Sequence, residues 1–142
     1  MTTFSHDTFV SPLTWRYGSV EMRQLWSETH KRKLLRRVWF ALAKAQHEVG
    51  LVTTEQLNDL YDKIDQVDID RATEIEKDIK HDLMAELHTY AEQCPVGGAV
   101  LHLGATSMDV LDNADALRIK GSLEHIQSKM NSLRDALADL IE

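Results

Sequence analysis

The chain has 142 residues, 43% of them hydrophobic, and carries a formal charge of −7. That length can bury a domain-sized core without requiring one compact domain. The acidic balance argues against nonspecific nucleic-acid binding, and the single cysteine, Cys94, excludes both an internal disulfide and a cysteine-rich zinc site. The N-terminus carries no secretory pattern and no apolar run is long enough for a bilayer, so a soluble, cytoplasmic protein is expected.

Strand signals are nearly absent and there are two prolines, so an all-α fold is predicted. The first dozen residues read as an extended arm. Ser11 to Gly18 reads as a structured turn rather than a helix. A short helix follows Ser19. Ser27 caps the next, which runs to about Val49 and ends at Gly50. Leu35, Val38, Leu42, Ala45 and Val49 would form its buried stripe. The basic cluster Lys31, Arg32, Lys33, Arg36 and Arg37 reads as a solvated face.

Thr53 and Gln56 have capping-box spacing for a further helix with Leu57, Leu60 and Ile64 inward. Ile69, Ala72, Ile75 and Ile79 anchor a charged stretch. Helix resumes through His81 to about Gln93, and Cys94-Pro95-Val96-Gly97-Gly98 is the strongest break. Cys94 reads as a helix end rather than a nucleophile.

The last helix is predicted to be the longest. Ala116, Ile119, Leu123, Ile126, Met130, Leu133, Leu137 and Leu140 alternate steps of three and four, the seam of a helical bundle. Roughly 35 residues at ~1.5 Å each give a rod of about 50 Å. It ends without glycine, asparagine or proline and on Glu142, so the chain is expected to continue. The seam would then pack on later segments or on other subunits; the alternative is a helical tail that dimerises.

Two segments carry chemistry. In Leu101-His102-Leu103-Gly104-Ala105-Thr106-Ser107, a glycine turn feeds two hydroxyls into a helix N-terminus. Free N–H groups and the positive end of the helix dipole suit a carboxylate or phosphate there, although Thr or Ser before a helix is usually only a cap. In Lys80-His81-Asp82, a metal-ligand reading fails: His88 lies seven residues on, about 10 Å along a helix, too far to share an ion with His81. His81 is then a structural histidine or, with Asp82, an anion-positioning pair. His102, between leucines, reads as core or as support behind the site. His6, His30, His47 and His125 read as surface, and Trp15, Trp26 and Trp39 as core or subunit contacts. Arg16-Tyr17 is a surface ion pair or, through its guanidinium and phenol, a phosphate site.

Taken in order, these segments resemble the adenylosuccinate lyases of the fumarase/aspartase superfamily. The matching residues are Ser11-Pro12-Leu13 with Arg16-Tyr17, Glu21-Met22 with Leu25-Trp26-Ser27, and Lys80-His81-Asp82 with Met84-Ala85. Cys94-Pro95 follows, then His102 to Ser107 with Asp112-Asn113. The Cys-Pro and His-Leu-Gly-Ala-Thr-Ser forms look closer to the animal-type branch. Related cycloisomerases share the Thr-Ser segment, so another lyase or cycloisomerase of the superfamily is one alternative, and a non-enzymatic helical assembly module another.

The resemblance implies an N-terminal helical lyase domain over residues 1–106 and, over 107–142, the start of a central bundle that assembles as a homotetramer. It implies release of fumarate from adenylosuccinate, giving AMP, and from the succinyl-carboxamide ribotide of purine synthesis, with no metal or other cofactor. It assigns Arg16 and Tyr17 to the substrate phosphate, Lys80, His81 and Asp82 to the site lining, and Thr106 and Ser107 to the succinyl group. It places no catalytic acid or base in this chain: the family's acid is in a Thr-His segment expected beyond residue 142, and its base in a Ser-Ser-x-Met-Pro loop that does not occur here. The isolated chain is therefore expected to be inactive.

Overall fold

A computed structural model describes residues 7, 9, 11 and 13–141, apart from the Trp15 side chain. Most of the expected N-terminal arm, with His6 and the side chain of Trp15, therefore lies outside the described residues. Every regular element among the described residues is helical: α1 Thr14–Tyr17, α2 Val20–Leu25, α3 Glu28–Glu48, α4 Thr54–Lys63, α5 Ile69–Ile79, α6 Asp82–Gln93, a 3-10 turn at Gly98–Val100, and α7 Ser107–Asp139. None of these helices is long and apolar enough to cross a membrane.

The helix starts at Ser19, Ser27 and Thr53 are those the sequence predicts; Asp68 is a further cap that it does not single out. Ser19, Ser27 and Asp68 each accept an N–H from the first turn of α2, α3 and α5. Thr53 and Gln56 close a reciprocal box on α4, and Gly50 takes the left-handed conformation after α3. The Ser11–Gly18 turn differs from expectation in one respect. Its centre winds into the single helical turn α1, because the Ser11 carbonyl accepts Thr14 N–H and the two hydroxyls bond each other at 3.0 Å.

The core forms where α3, α4 and α6 meet the first part of α7. Leu34, Leu35, Trp39, Leu60, Leu83, Tyr90, Val110 and Ala114 are all buried there. The buried face of α3 is rotated from the predicted stripe: Arg32, Leu35, Arg36, Trp39 and Ala43 point inward, while Ala45 and Val49 are exposed. The solvated-face reading of the basic cluster is thus wrong for Arg32 and Arg36. The cause is Glu86, wholly buried on α6.

Glu86 accepts from Arg36 Nε at 2.7 Å and from Arg32 Nη1 at 2.8 Å. Arg36 Nη1 also reaches the carbonyls of Lys63 and Gln66 and the side chain of Gln93. Its guanidinium stacks 4.6 Å over the Tyr90 ring, whose hydroxyl donates to the Leu60 carbonyl. Burial pushes the Tyr90 phenol well above its usual range. Lys31, Lys33 and Arg37 stay nearer the surface, paired with Asp82 and Asp65.

Two of the supposed surface histidines also have partners. His47 Nδ1 lies 2.7 Å from the Val52 carbonyl, tying the end of α3 to the next turn, and His125 Nε2 lies 3.3 Å from Ser19 Oγ. His30 is half-buried, and burial, then Arg118, Arg37 and Lys33, hold its pKa below the usual value.

The turn after α6 is built on Asp59, whose carboxylate accepts the Val96 and Gly97 N–H groups. Gly97 is obligatory there: a Cβ would stand 2.5 Å from the Gln56 carbonyl oxygen. Cys94 closes α6 as predicted, and burial, reinforced by Asp59, pushes its thiol up to about 11.

α7 runs antiparallel to α3. Val110, Ala114 and Ser122 face the core, Arg118 stacks on Trp26 at 4.3 Å, and the Trp26 indole N–H donates to Ser122. The predicted seam lies on a different face. From Ile119 to Leu140 its large apolar members are 46% to 81% exposed, and none of them is in the buried core of the described residues.

Two measurements check this account. Removing one partner of a buried ion pair typically costs about 3–5 kcal/mol, an exposed pair below about 1 kcal/mol. Urea unfolding should therefore show Glu86→Gln far more destabilising than Glu92→Gln, whose carboxylate binds Arg71 at the surface. Equal losses would contradict the fold's electrostatics. Second, the raised Cys94 thiol predicts that iodoacetamide at pH 8 alkylates the native chain about a hundredfold more slowly than the urea-unfolded chain; matching rates would refute its burial.

Candidate functional site

The turn before α7 is left-handed at two nearby positions. His102 and Gly104 both take positive φ, 64° and 72°. Glycine adopts that conformation freely; histidine does so only when its surroundings hold it. Here α3 holds it. Trp39 Nε1 donates to His102 Nδ1 at 3.0 Å, and Gln46 Nε2 donates to the Leu103 carbonyl at 2.8 Å. Ala105 N–H returns to the His102 carbonyl, closing the turn.

The chain then enters α7 with Thr106 as N-cap, its N–H taken up by the Asp109 carboxylate at 2.8 Å. A cleft of about 440 Å³ opens between α3 and this turn, lined by Val38, Leu42, Gly104, Ala105, Asp109 and Asn113. Thr106 is exposed and Ser107 half-buried, and both follow Ala105 in the chain without themselves lining the cleft. A helix N-terminus with adjacent hydroxyls beside an open cleft suits a carboxylate, although Asp109 already satisfies one of its N–H groups.

The Lys80-His81-Asp82 segment sits at a second helix start. Lys80 takes a left-handed conformation and ends α5 through its N–H to the Glu76 carbonyl. His81 caps α6, its Nδ1 accepting Met84 N–H at 3.4 Å. Asp82 accepts Leu83 N–H at 2.8 Å and faces Lys31 at 3.6 Å. The His81 and Asp82 side chains are about half exposed, and their nearest polar atoms stand 3.9 Å apart. They are two separate caps rather than a buried pair. With Nδ1 accepting, the neutral His81 ring carries its proton on Nε2. Among the described residues, no three His, Cys, Asp or Glu side chains are grouped as metal ligands would be.

Arg16 and Tyr17 end α1, both exposed, and no ion pair to Arg16 is found among the described residues. An apolar cavity of about 240 Å³ lies beside them, lined by Phe9, Ser11, Thr14, Met22, Arg23 and Trp26, but neither residue enters it.

The three segments do not converge. Asp82 is tied to Lys31 near the start of α3, whereas the cleft below Thr106 is lined by Leu42, eleven residues and about 16 Å further along that helix. Arg16-Tyr17 adjoins Ser19, which touches His125, eighteen residues and about 27 Å along α7 from Ser107. Two side chains hold the turn: Trp39, which the sequence reading places in the core or a subunit contact without this role and which is buried in the core, and Gln46, which it does not single out. They lie 63 and 57 residues from their partners, and no local pattern links them.

No family model matches the chain. It is similar to the adenylosuccinate lyase of Methanocaldococcus jannaschii, 43% identical over 94% of this chain and 29% of that protein. For the adenylosuccinate lyase of Pyrococcus horikoshii the figures are 41%, 94% and 30%. For that of Saccharomyces cerevisiae they are 36%, 94% and 28%. The chain thus spans under a third of the length of the curated relatives it matches. Identity at this level runs along almost the whole length of this all-helical chain, which therefore resembles the adenylosuccinate lyases over under a third of their length.

Proposed function

We propose that this chain is the N-terminal portion of an adenylosuccinate lyase, acting in the cytoplasm as part of a homotetramer. The whole enzyme would release fumarate from adenylosuccinate, leaving AMP, and from the succinyl-carboxamide ribotide of purine synthesis. The observation that carries this reading is identity to enzymes of that name along 94% of the chain. Residues 1–106 would form the first domain, and α7 would open the central bundle.

The reaction is a β-elimination. A base removes a proton from the carbon next to a carboxylate, and the electron pair moves toward that carboxylate. The adjacent C–N bond then breaks, and the departing nitrogen takes up a proton. Fixed donors placed where the charge builds lower the barrier, because they need no reorganisation as the reaction proceeds. Thr106, Ser107 and the first N–H groups of α7 would serve that carboxylate. Arg16 and Tyr17 would hold the phosphate, and Lys80, His81 and Asp82 would line the site. The acid and base would come from segments beyond those in this sequence.

Because these segments lie ~16 Å and ~27 Å apart along α3 and α7, a complete site needs surfaces from other copies. The exposed seam of α7 gives those copies a place to pack. The isolated chain should show no cleavage of adenylosuccinate by absorbance, and the full-length protein should show it. In the full-length protein, Ser107→Ala should lower kcat/KM by about a hundredfold, the loss typical of one donor to a developing oxyanion. Arg16→Ala should act mainly on KM, as loss of uniform binding does. Turnover by the isolated chain, or a full-length protein that leaves adenylosuccinate intact, would overturn the proposal.

A further inference from the structure

We propose that Trp39 and Gln46 of α3 are positioning residues for the turn that delivers Thr106 and Ser107, with Trp39 acting through His102. The inference rests on the reading above, in which this turn binds the succinyl carboxylate. Trp39 is 1% exposed, and its indole N–H is a donor only. Its contact with His102 Nδ1 at 3.0 Å therefore requires that nitrogen to be unprotonated, which sets the neutral imidazole as the Nε2–H tautomer. The two rings meet edge to face, 83° apart, so packing and hydrogen bond agree on one orientation.

The backbone supplies the second half. His102 stands at φ 64°, and nothing on its own segment stabilises that conformation except the Ala105 N–H to its carbonyl. Gln46 grips the next residue at the Leu103 carbonyl, about two helical turns beyond Trp39 on α3. Two side chains of one helix thus clamp consecutive residues of the turn, just ahead of the Gly104 bend and the Thr106 cap. Gly104 leaves no steric restraint of its own, since a Cβ built there meets nothing within 4 Å. The clamp, rather than crowding, places Thr106 and Ser107 relative to the cleft.

The test begins with nitrogen NMR of the 142-residue chain. We expect a coupling across the hydrogen bond between Trp39 Nε1 and His102 Nδ1, and a single Nε2–H tautomer for His102. Trp39→Phe should abolish the coupling and raise amide exchange at Ala105 about tenfold, while the Leu87 and Tyr90 amides in α6 exchange as before. Gln46→Leu, away from the centre of the core, should loosen the same turn amides with an unchanged melting temperature, and it serves should Trp39→Phe not fold. An absent coupling, an Nδ1–H tautomer, or equal acceleration of the turn and α6 amides would overturn the proposal.

The full-length enzyme adds a readout that a merely structural tryptophan would not move. Trp39→Phe should lower kcat/KM about tenfold in the wild-type background and have little further effect when His102 is already alanine. Equal losses in both backgrounds would contradict action through His102. A full-length protein without lyase activity would remove the functional reading, while the NMR results would still decide whether the clamp exists.

Discussion

Everything in this chain hangs on the burial of Arg36 against Glu86. A guanidinium with no solvent exposure is tolerable only where its charge and most of its donors are matched; here four acceptors from α6, the end of α4 and the link after it take Nε and Nη1, leaving Nη2 without a hydrogen-bond partner. That one group fixes the rotation of α3, the height of α6 beside it and the end of α4. Arg32, one turn earlier, repeats the bond to the same carboxylate and removes any freedom to slide.

With its rotation set, α3 becomes the ruler of the molecule. Near its start Lys31 faces Asp82, so the Lys80-His81-Asp82 cap is held there. Toward its other end Trp39 and Gln46 hold the His102–Gly104 turn, and with it the start of α7. The Lys80-His81-Asp82 segment and the turn before Thr106-Ser107 are both positioned by this arrangement, yet at opposite ends of α3. α7 then carries the geometry outward: one face seals on α2 and α3 through Val110, Ala114, Arg118 and Ser122, and the other presents an apolar seam to solvent. A chain built this way sets out the parts of a proposed composite site instead of assembling one pocket.

Much of this was legible in the residues. Caps at Ser19, Ser27 and Thr53, the break after Cys94 and the start of α7 depend on neighbours three or four positions away, and local chemistry decides them. The rotation of α3 was not legible, because Arg32 and Arg36 turn inward only in answer to Glu86, about fifty residues on. A signal did exist on α6: Glu86 stands in the apolar stripe between Leu83 and Tyr90, where a carboxylate demands a cation. The site showed the same division. His81 and Asp82 could be picked out as a pair, but only the structure shows both half exposed at the start of α6, each accepting a different first-turn N–H. Nothing local could link Trp39 to His102.

The most direct test of the composite site uses two disabled full-length proteins, one carrying His81→Ala and the other Ser107→Ala. Each alone should be nearly inactive. Unfolded together and refolded as mixed assemblies, they should recover adenylosuccinate cleavage, since some sites would draw an intact Lys80-His81-Asp82 segment from one copy and an intact Thr106-Ser107 turn from another. Mixed assemblies as inactive as their parents would mean that one chain supplies both segments to the same site, and the separation along α3 would no longer describe the working enzyme.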